Sequence, residues 1–359
     1  MLKLRRGVVV STDPLTVRVE DSERRAWADH GLVGEVREGD EVIVNVEALD
    51  LELGSGGFDV VHANLSRGLA AGGADGEHVM KLSYTSLQHP VEPIEVPYGE
   101  EGAGAGVEVA RRIPVLVLSL HGQLPPAAWA AAAAAPGLKL GYVQSAGGAL
   151  PGGLSRDVTE LRDRGLLCAH LTAGPAYGGE GEAIGVIGAL HAGALSLGWD
   201  AAVVGPGPGV LGSATHYGHG GMAALDSAHA ALSLGLETLV APRLSSGDPR
   251  PRHRGLSHHS EAVLRHLLAP VRVPVPEVAE EEWPTGERAG ETPLDALHQA
   301  CGDRHDVWVR EVALDEYAAS GLPTTTMGRE LGADRLFFAA ALAAGDALGA
   351  VARSGEASP

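Results

Sequence analysis

From residue 113 onward the chain alternates short apolar runs with helical stretches, and that alternation constrains its fold more than any other feature. IPVLVLSL (113–120), LKLGYVQS (138–145), LLCAHLTA (166–173), DAAVVGPGPG (200–209) and TLVAPRLS (238–245) are too short and too uniformly apolar to be amphipathic helices. They read as strands buried on both faces. Between them lie PPAAWAAAAAAPG, SRDVTELRDRGL, AIGVIGALHAGALSLG and MAALDSAHAALSLG. The first is opened by prolines and stopped by Pro136-Gly137. In the second, Val158 and Leu161 face inward, and Ser155 or Asp157 can cap. The small-residue helices allow close packing, within a subunit or between two. Strands that alternate with helices imply βαβ units. The expected class is therefore α/β, with a mostly parallel, Rossmann-like sheet at residues 113–270.

The flanks read differently. In residues 1–65, LKLRRGVVVS, LTVRVE, EVIVNVEAL and GSGGFDVVHANL are alternating, β-branched and separated by turns, which predicts a small β-barrel or sandwich domain. Residues 66–112 read as a connection, with a Gly-rich stretch, an exposed hairpin or loop at YGEEGAGAGVEVARR, and Lys81 as a ligand-facing or snorkelling cation. Residues 271–359 begin with the Pro-rich, acidic VRVPVPEVAEEEWPTGERAGETP, expected as an extended surface segment. A strand at HDVWVREV and a C-terminal helix packed on the α/β domain follow. Thr324 to Thr326 would cap that helix, leaving Arg329 near its first turn, where it opposes the helix dipole unless it serves a ligand or an acidic partner.

Charge excludes some partners. A formal net charge of −19 is the wrong sign for nucleic acid or for anionic membranes. The longest apolar runs are broken by Gly, His or Pro, so no membrane span is expected. Cys168, read as core, and Cys301, read as surface, form no disulfide framework or metal knuckle. A cytoplasmic protein is expected, with a homo-oligomer possible.

Ligands of parallel sheets bind beyond the carboxyl ends of the strands. Five unusual loops fall there: His121, Ser145 to Gly148, Gly174 to Glu182, Gly205 to Thr215, and Ser245 to His259. In GPGPGVLGSATHYGHGG, Gly207, Gly209 and Gly212 can turn backbone N–H groups toward an anion, and Thr215 can add a hydroxyl. The stretch is neither a Walker loop nor a dinucleotide fingerprint, and the alternative is a tight structural turn. In DPRPRHRGLSHH, a basic loop in an acidic chain, Arg252 and Arg254 supply forked donors for an anion.

His258 and His259 are the candidate proton-transfer groups, with His121 opposite. Alternatively, one of them joins His121, His216, His219, Glu180 or Glu182 at a metal, although neighbouring histidines do not easily ligate one ion. A third alternative is structural, with a histidine capping the following helix and the arginines pairing with the acidic surface. No GxSxG elbow is present. The pattern points to an enzyme for a small anionic or phosphorylated metabolite, its cofactor unknown. The other readings are a non-catalytic ligand-binding or assembly protein and a metal-dependent hydrolase.

HVMKLSYTSLQ, GGALPGGLSRDV, GPGPGVLGSATHYGHGG, DPRPRHRGLSHHS and TTTMGR together resemble an uncharacterised bacterial family of unknown function, DUF3866. The resemblance spans nearly the whole chain and implies a soluble bacterial protein, with no activity, cofactor or catalytic residue to carry over. In strand order the chain is also similar to the Rossmann-like subunits of glycine and proline reductases, but it has no evident redox cysteine in a loop.

Overall fold

The computed structural model describes residues 1–53, 56–69, 79–95, 112–213, 215–278 and 292–355. The Gly-rich stretch at 70–78, most of YGEEGAGAGVEVARR and the acidic run at 279–291 lie outside the described residues. The chain forms two compact units, Met1–Glu92 and Pro93–Pro359.

The first unit is built on a closed barrel of β1 (Leu4–Thr12), β2 (Leu15–Val19), β3 (Ser22–Trp27), β4 (Glu41–Asn45) and β5 (Asp59–Asn64), in the order β1-β2-β3-β5-β4. Only β3 and β5 pair parallel. Alternation drives it: Val17 and Val19 of β2 and Val42 and Val44 of β4 point inward and are buried with Val9, Val36 and Val61. Gly7 is required by close approach, because a Cβ there would stand 2.5 Å from Val17 Cγ1 and 2.8 Å from the Arg18 carbonyl. The ribbon of β6 (Val79–Lys81) and β7 (His89–Val91) belongs to the same unit, and Lys81 is buried in it.

The second unit holds an eight-stranded sheet. Its strands are β8 (Val115–Val117), β9 (Leu140–Ser145), β10 (Ala169–Ala173), β11 (Gly181–Ala183), β12 (Ala201–Pro206), β13 (Thr238–Val240), β16 (Arg272–Pro276) and β17 (Asp306–Arg310). The two-residue strands β14 (Leu244–Ser245) and β15 (Gly255–Leu256) form a separate ribbon, as do β18 (Thr325–Thr326) and β19 (Arg329–Glu330). The sheet order is β11-β10-β9-β12-β8-β13-β16-β17, and every pair is parallel. Helices cover both faces, as a parallel sheet requires. Leu124–Ala134, Arg156–Asp163, Leu314–Ala319 and Arg335–Ser354 pack on one face. Val186–Leu195, Ala223–Ser233, His258–His266 and Pro293–Cys301 pack on the other.

Small residues let these layers close. Trp199 slots between β9 and the helix Val186–Leu195, where a Cβ on Gly141 or Gly193 would collide with its ring. The C-terminal helix lies so near Leu124–Ala134 that Cβ atoms on Gly345 and Gly349 would strike the carbonyls of Ala127 and Ala131. Arg335–Ser354 is also the one helix among the described residues long and apolar enough to cross a membrane, and 78% of its apolar window is buried within the fold.

Several sequence expectations need correction. The sheet extends past TLVAPRLS, the last of the five runs expected at 113–270: VRVPVP supplies β16, a buried strand rather than a surface segment. Its prolines are tolerated because β16 meets β13 only at the Leu239–Arg272 pair, so little ladder is lost on that side. The C-terminal helix starts at Arg335, so Thr324 to Thr326 do not cap it and Arg329 precedes it in β19. The cysteines exchange places: Cys168 is exposed just before β10, and Cys301 is buried at the end of Pro293–Cys301.

Candidate functional site at the carboxyl edge of the sheet

The chain leaves β8 and β9 into helices on one face, and β12 and β13 into helices on the other. Such opposed exits open a crevice beyond the strand ends. The loops there are tied together. His121 Nδ1–H donates to the Pro206 carbonyl (3.0 Å), Gln123 Nε2 to the Pro242 carbonyl (3.2 Å), and the N–H groups of Ala149 and Gly152 to the carbonyls of Pro208 and Tyr177 (both 2.7 Å). Glycines permit this crowding, since a Cβ on Gly148 would meet the Gly207 carbonyl and one on Gly220 the Gly147 carbonyl.

A histidine cluster lies where the loop after β12 meets the helix His258–His266. Ser257 is the helix N-cap, its hydroxyl oxygen 3.3 Å from the His259 N–H and 2.8 Å from His253 Nδ1. The cap starts the helix at His258, so both histidines sit in its first turn, their ring centres 4.4 Å apart. The His219 ring stacks on His259 at 3.7 Å with 10° between planes, and His253 lies 4.9 Å from His258 and 4.8 Å from His259. His219 Nε2–H donates to the His216 carbonyl (3.1 Å), which leaves the lone pair on Nδ1.

His219 Nδ1, His258 Nε2 and His259 Nδ1 are buried and have no hydrogen-bond partner. Ligand atoms of these three residues all lie within 4.8 Å of one another, so, contrary to expectation, adjacency in the chain does not keep those of His258 and His259 apart. Burial disfavours their charged forms. With further opposition from neighbouring histidines and arginines, it holds His258 down to about 4, His253 down to about 3, and His219 and His259 below the usual histidine range. All four rings are therefore neutral at pH 7.

An arginine network adjoins the cluster. Arg243 is 2% exposed and donates from Nη2 to Asp248 (2.9 Å), while its Nε is buried without a partner. Arg250 donates twice to Asp248, from Nε at 2.9 Å and from Nη2 at 2.8 Å. Arg329 reaches Asp334 from Nε at 3.0 Å and Asp248 from Nη2 at 3.5 Å. Asp334 also accepts from Ser245 Oγ (2.7 Å) and the Ser246 N–H (2.8 Å). Burial would raise the Asp248 carboxyl, but the bonds and charges of Arg250 and Arg243 outweigh it and hold the group well below the usual carboxylate range. Arg329 thus meets acidic partners, and its position carries no dipole penalty.

The other predicted site residues are placed as follows. His258 and His259 stand together. His121 makes its ring contacts elsewhere, with Nε2 2.6 Å from Ser155 Oγ and the ring 6.3 Å from Tyr142. Gly207 is a close-approach glycine against the Ala149 carbonyl and Gln144, and Gly209 has a left-handed φ of +71°. Gly212 borders the cluster: a Cβ there would stand 3.5 Å from His219 Cβ and 3.8 Å from His259 Cε1. Thr215 is exposed, its hydroxyl 2.7 Å from Ser213 Oγ. Arg252 and Arg254 are exposed, and among the described residues neither pairs with a carboxylate within 4.0 Å. Arg252 acts on His258 through its charge.

Sequence reasoning missed Arg243, Asp248, Asp334 and Gly221. The one available signal was a charge inside the apolar run LVAPRLS, which a buried strand end tolerates only with a partner.

No curated protein and no solved structure matches the chain. A family model does match, over residues 25–345, from within the barrel into the C-terminal helix. The chain therefore belongs to the family described as protein of unknown function (DUF3866).

Proposed function

We propose that this protein is an enzyme acting on a small anionic metabolite at the carboxyl edge of its parallel sheet. One observation carries the reading: a cationic excess concentrated at one crevice of an acidic molecule. Among the described residues, Arg243, Arg250 and Arg329 are paired with only two carboxylates, Asp248 and Asp334. Arg252 and Arg254 stand exposed in the same loop as Arg250, and Arg252 is near enough to His258 to act on it through its charge. Guanidinium groups bind carboxylate and phosphate oxygens through paired N–H donors. The paired arginines and aspartates form a rigid base, and Arg252 and Arg254 are the groups left to take the ligand. Next to them the neutral imidazoles of His219, His258 and His259 are the groups that act on it.

Titration calorimetry with inorganic phosphate and pyrophosphate tests this reading. The wild-type protein is expected to bind one of them, and the double variant Arg252→Ser/Arg254→Ser to bind it about tenfold or more weakly, in line with the loss of charge-assisted bonds. Equal affinity in the two proteins, or no binding by the wild type, overturns it. Incubation with pools of phosphorylated and carboxylated metabolites, followed by mass spectrometry, then identifies what is turned over.

A further inference from the structure

We propose that His219, His258 and His259 bind one transition-metal ion of the Zn2+ class, through His219 Nδ1, His258 Nε2 and His259 Nδ1. The inference deepens the reading of this edge as a reaction site and rests on it for the role of the ion.

Three observations point the same way. The first is the set of unpartnered nitrogens. His219 and His259 are 7% and 5% exposed, yet each has a buried Nδ1 with no hydrogen-bond partner, as does Nε2 of His258. A buried polar atom without a partner is costly, and three converging from two separate segments are not a packing accident to be expected. Stacked, neutral rings do not satisfy one another, but a cation takes all three lone pairs at once.

The second is the tautomer of His219. Its Nε2–H is committed to the His216 carbonyl at 3.1 Å. A metal-binding imidazole characteristically donates its other ring N–H to such an acceptor, which fixes the ring and directs the lone pair. His216 and His219 both come from the loop after β12, so the backbone that delivers the ligand also orients it.

The third is Gly221. A Cβ at this position would stand 3.1 Å from His219 Nδ1 and 3.4 Å from His259 Nδ1. Its φ is outside the left-handed region, so backbone conformation does not demand glycine here. The missing side chain keeps open the space beside the two nitrogens.

Ligand chemistry sets the metal class. Imidazole nitrogens suit Zn2+ and its neighbours in the first transition row rather than Mg2+ or Ca2+, which prefer oxygen. A tetrahedral ion with Zn–N bonds of about 2.0–2.1 Å holds its ligand nitrogens about 3.4 Å apart. Ligand atoms of the three residues now lie within 4.8 Å of one another, and binding closes them further by rotations that tilt the His219 and His259 rings out of their near-parallel stack. Three neutral ligands leave the ion its full charge and one open position, the arrangement of catalytic rather than structural zinc. An anionic substrate oxygen or a water fits that position, with Arg252 beside it.

The test uses the full chain, stripped with a chelator and titrated with Co2+ and then Zn2+. The expected result is one Co2+ per chain with the visible absorption of low-symmetry cobalt, displaced by Zn2+. His219→Ala and His259→Ala are each expected to weaken binding about 100-fold. Gly221→Val keeps all three ligands but fills the space beside two of them, and is expected to weaken binding about tenfold or more. That variant keeps the question open to refutation if either alanine variant fails to fold, judged by circular dichroism. His229→Ala, outside the cluster, is expected to bind as the wild type does.

A wild-type chain that takes up no Co2+ at micromolar concentrations overturns the proposal. So does Co2+ binding that is indifferent to His219→Ala and Gly221→Val in folded protein. Phosphate titration of the same stripped and loaded samples separates the two readings. Phosphate binding without Co2+ binding removes the metal and leaves the anion site. Co2+ binding without phosphate affinity in either sample removes the anion site and leaves the metal.

Discussion

Asp248 has no exposed side-chain surface and accepts hydrogen bonds from Arg243 and Arg250, with Arg329 within 3.5 Å. Arg243 is itself 2% exposed, so its charge is tolerable only while that carboxylate faces it. Breaking one side of a buried pair costs more than the pair contributes, because the other charge is left without compensation. Asp248→Ala is therefore expected to lower stability by about 3–5 kcal/mol, measured by urea unfolding. A loss below about 1 kcal/mol would mean that water reaches the Arg243 guanidinium. This residue pair was only half legible beforehand. The arginine is a charge inside an apolar run, a signal present but unused, and its carboxylate lies in a loop where an aspartate is ordinary.

At the scale of elements, closeness is set by what side chains leave out. The helices Leu124–Ala134 and Arg335–Ser354 approach until Gly345 sits against the Ala127 carbonyl. Leucine–leucine packing holds helix axes farther apart, whereas alanine and glycine let them come together. Gly345→Val would gain helix propensity and still collide with that backbone. The expected net effect is a loss of at least about 2 kcal/mol from overpacking, with the thermal midpoint as readout. An unchanged midpoint would show that the two helices slide apart at little cost. Alanine-rich helices were readable from the chain. Which helix would meet which was not, because pairs of small-residue faces are interchangeable in a linear pattern.

The whole molecule couples its fold to pH through buried imidazoles. His170 donates to Gln144 Oε1 (3.2 Å) and stacks on Tyr142 at 5.3 Å. Burial holds it down to about 4, with Glu180 opposing weakly. Above its unfolded value of about 6.5 the ring is neutral in both states and stability does not depend on it. As pH falls from about 6.5 toward 4, the unfolded chain takes up the proton and the folded chain does not, so stability declines through that window. The contribution of this one ring is on the order of 3 kcal/mol at pH 4. Urea midpoints between pH 7 and 4 are expected to fall less steeply for His170→Gln, which keeps a polar partner for Gln144 and does not titrate. Equal slopes for the two proteins would place the titration elsewhere.

At this same scale, the sequence alone determined that the fold is a mostly parallel α/β sheet preceded by a small β domain, barrel or sandwich, and that unusual loops end its strands. Burial on both faces leaves strands little choice but to be continuously apolar, and side-chain alternation marks half-buried strands, so both signals are local and survive in the linear chain, whereas closure into a barrel does not. Tertiary structure decided the rest. It made VRVPVP a strand, because a neighbour that ends early makes prolines harmless. It exchanged the environments of Cys168 and Cys301. It also brought His219, about forty residues away in sequence, onto the rings of His258 and His259. That meeting depends on two loops leaving different strands at one sheet edge, a distance in space for which no spacing in the chain is a code.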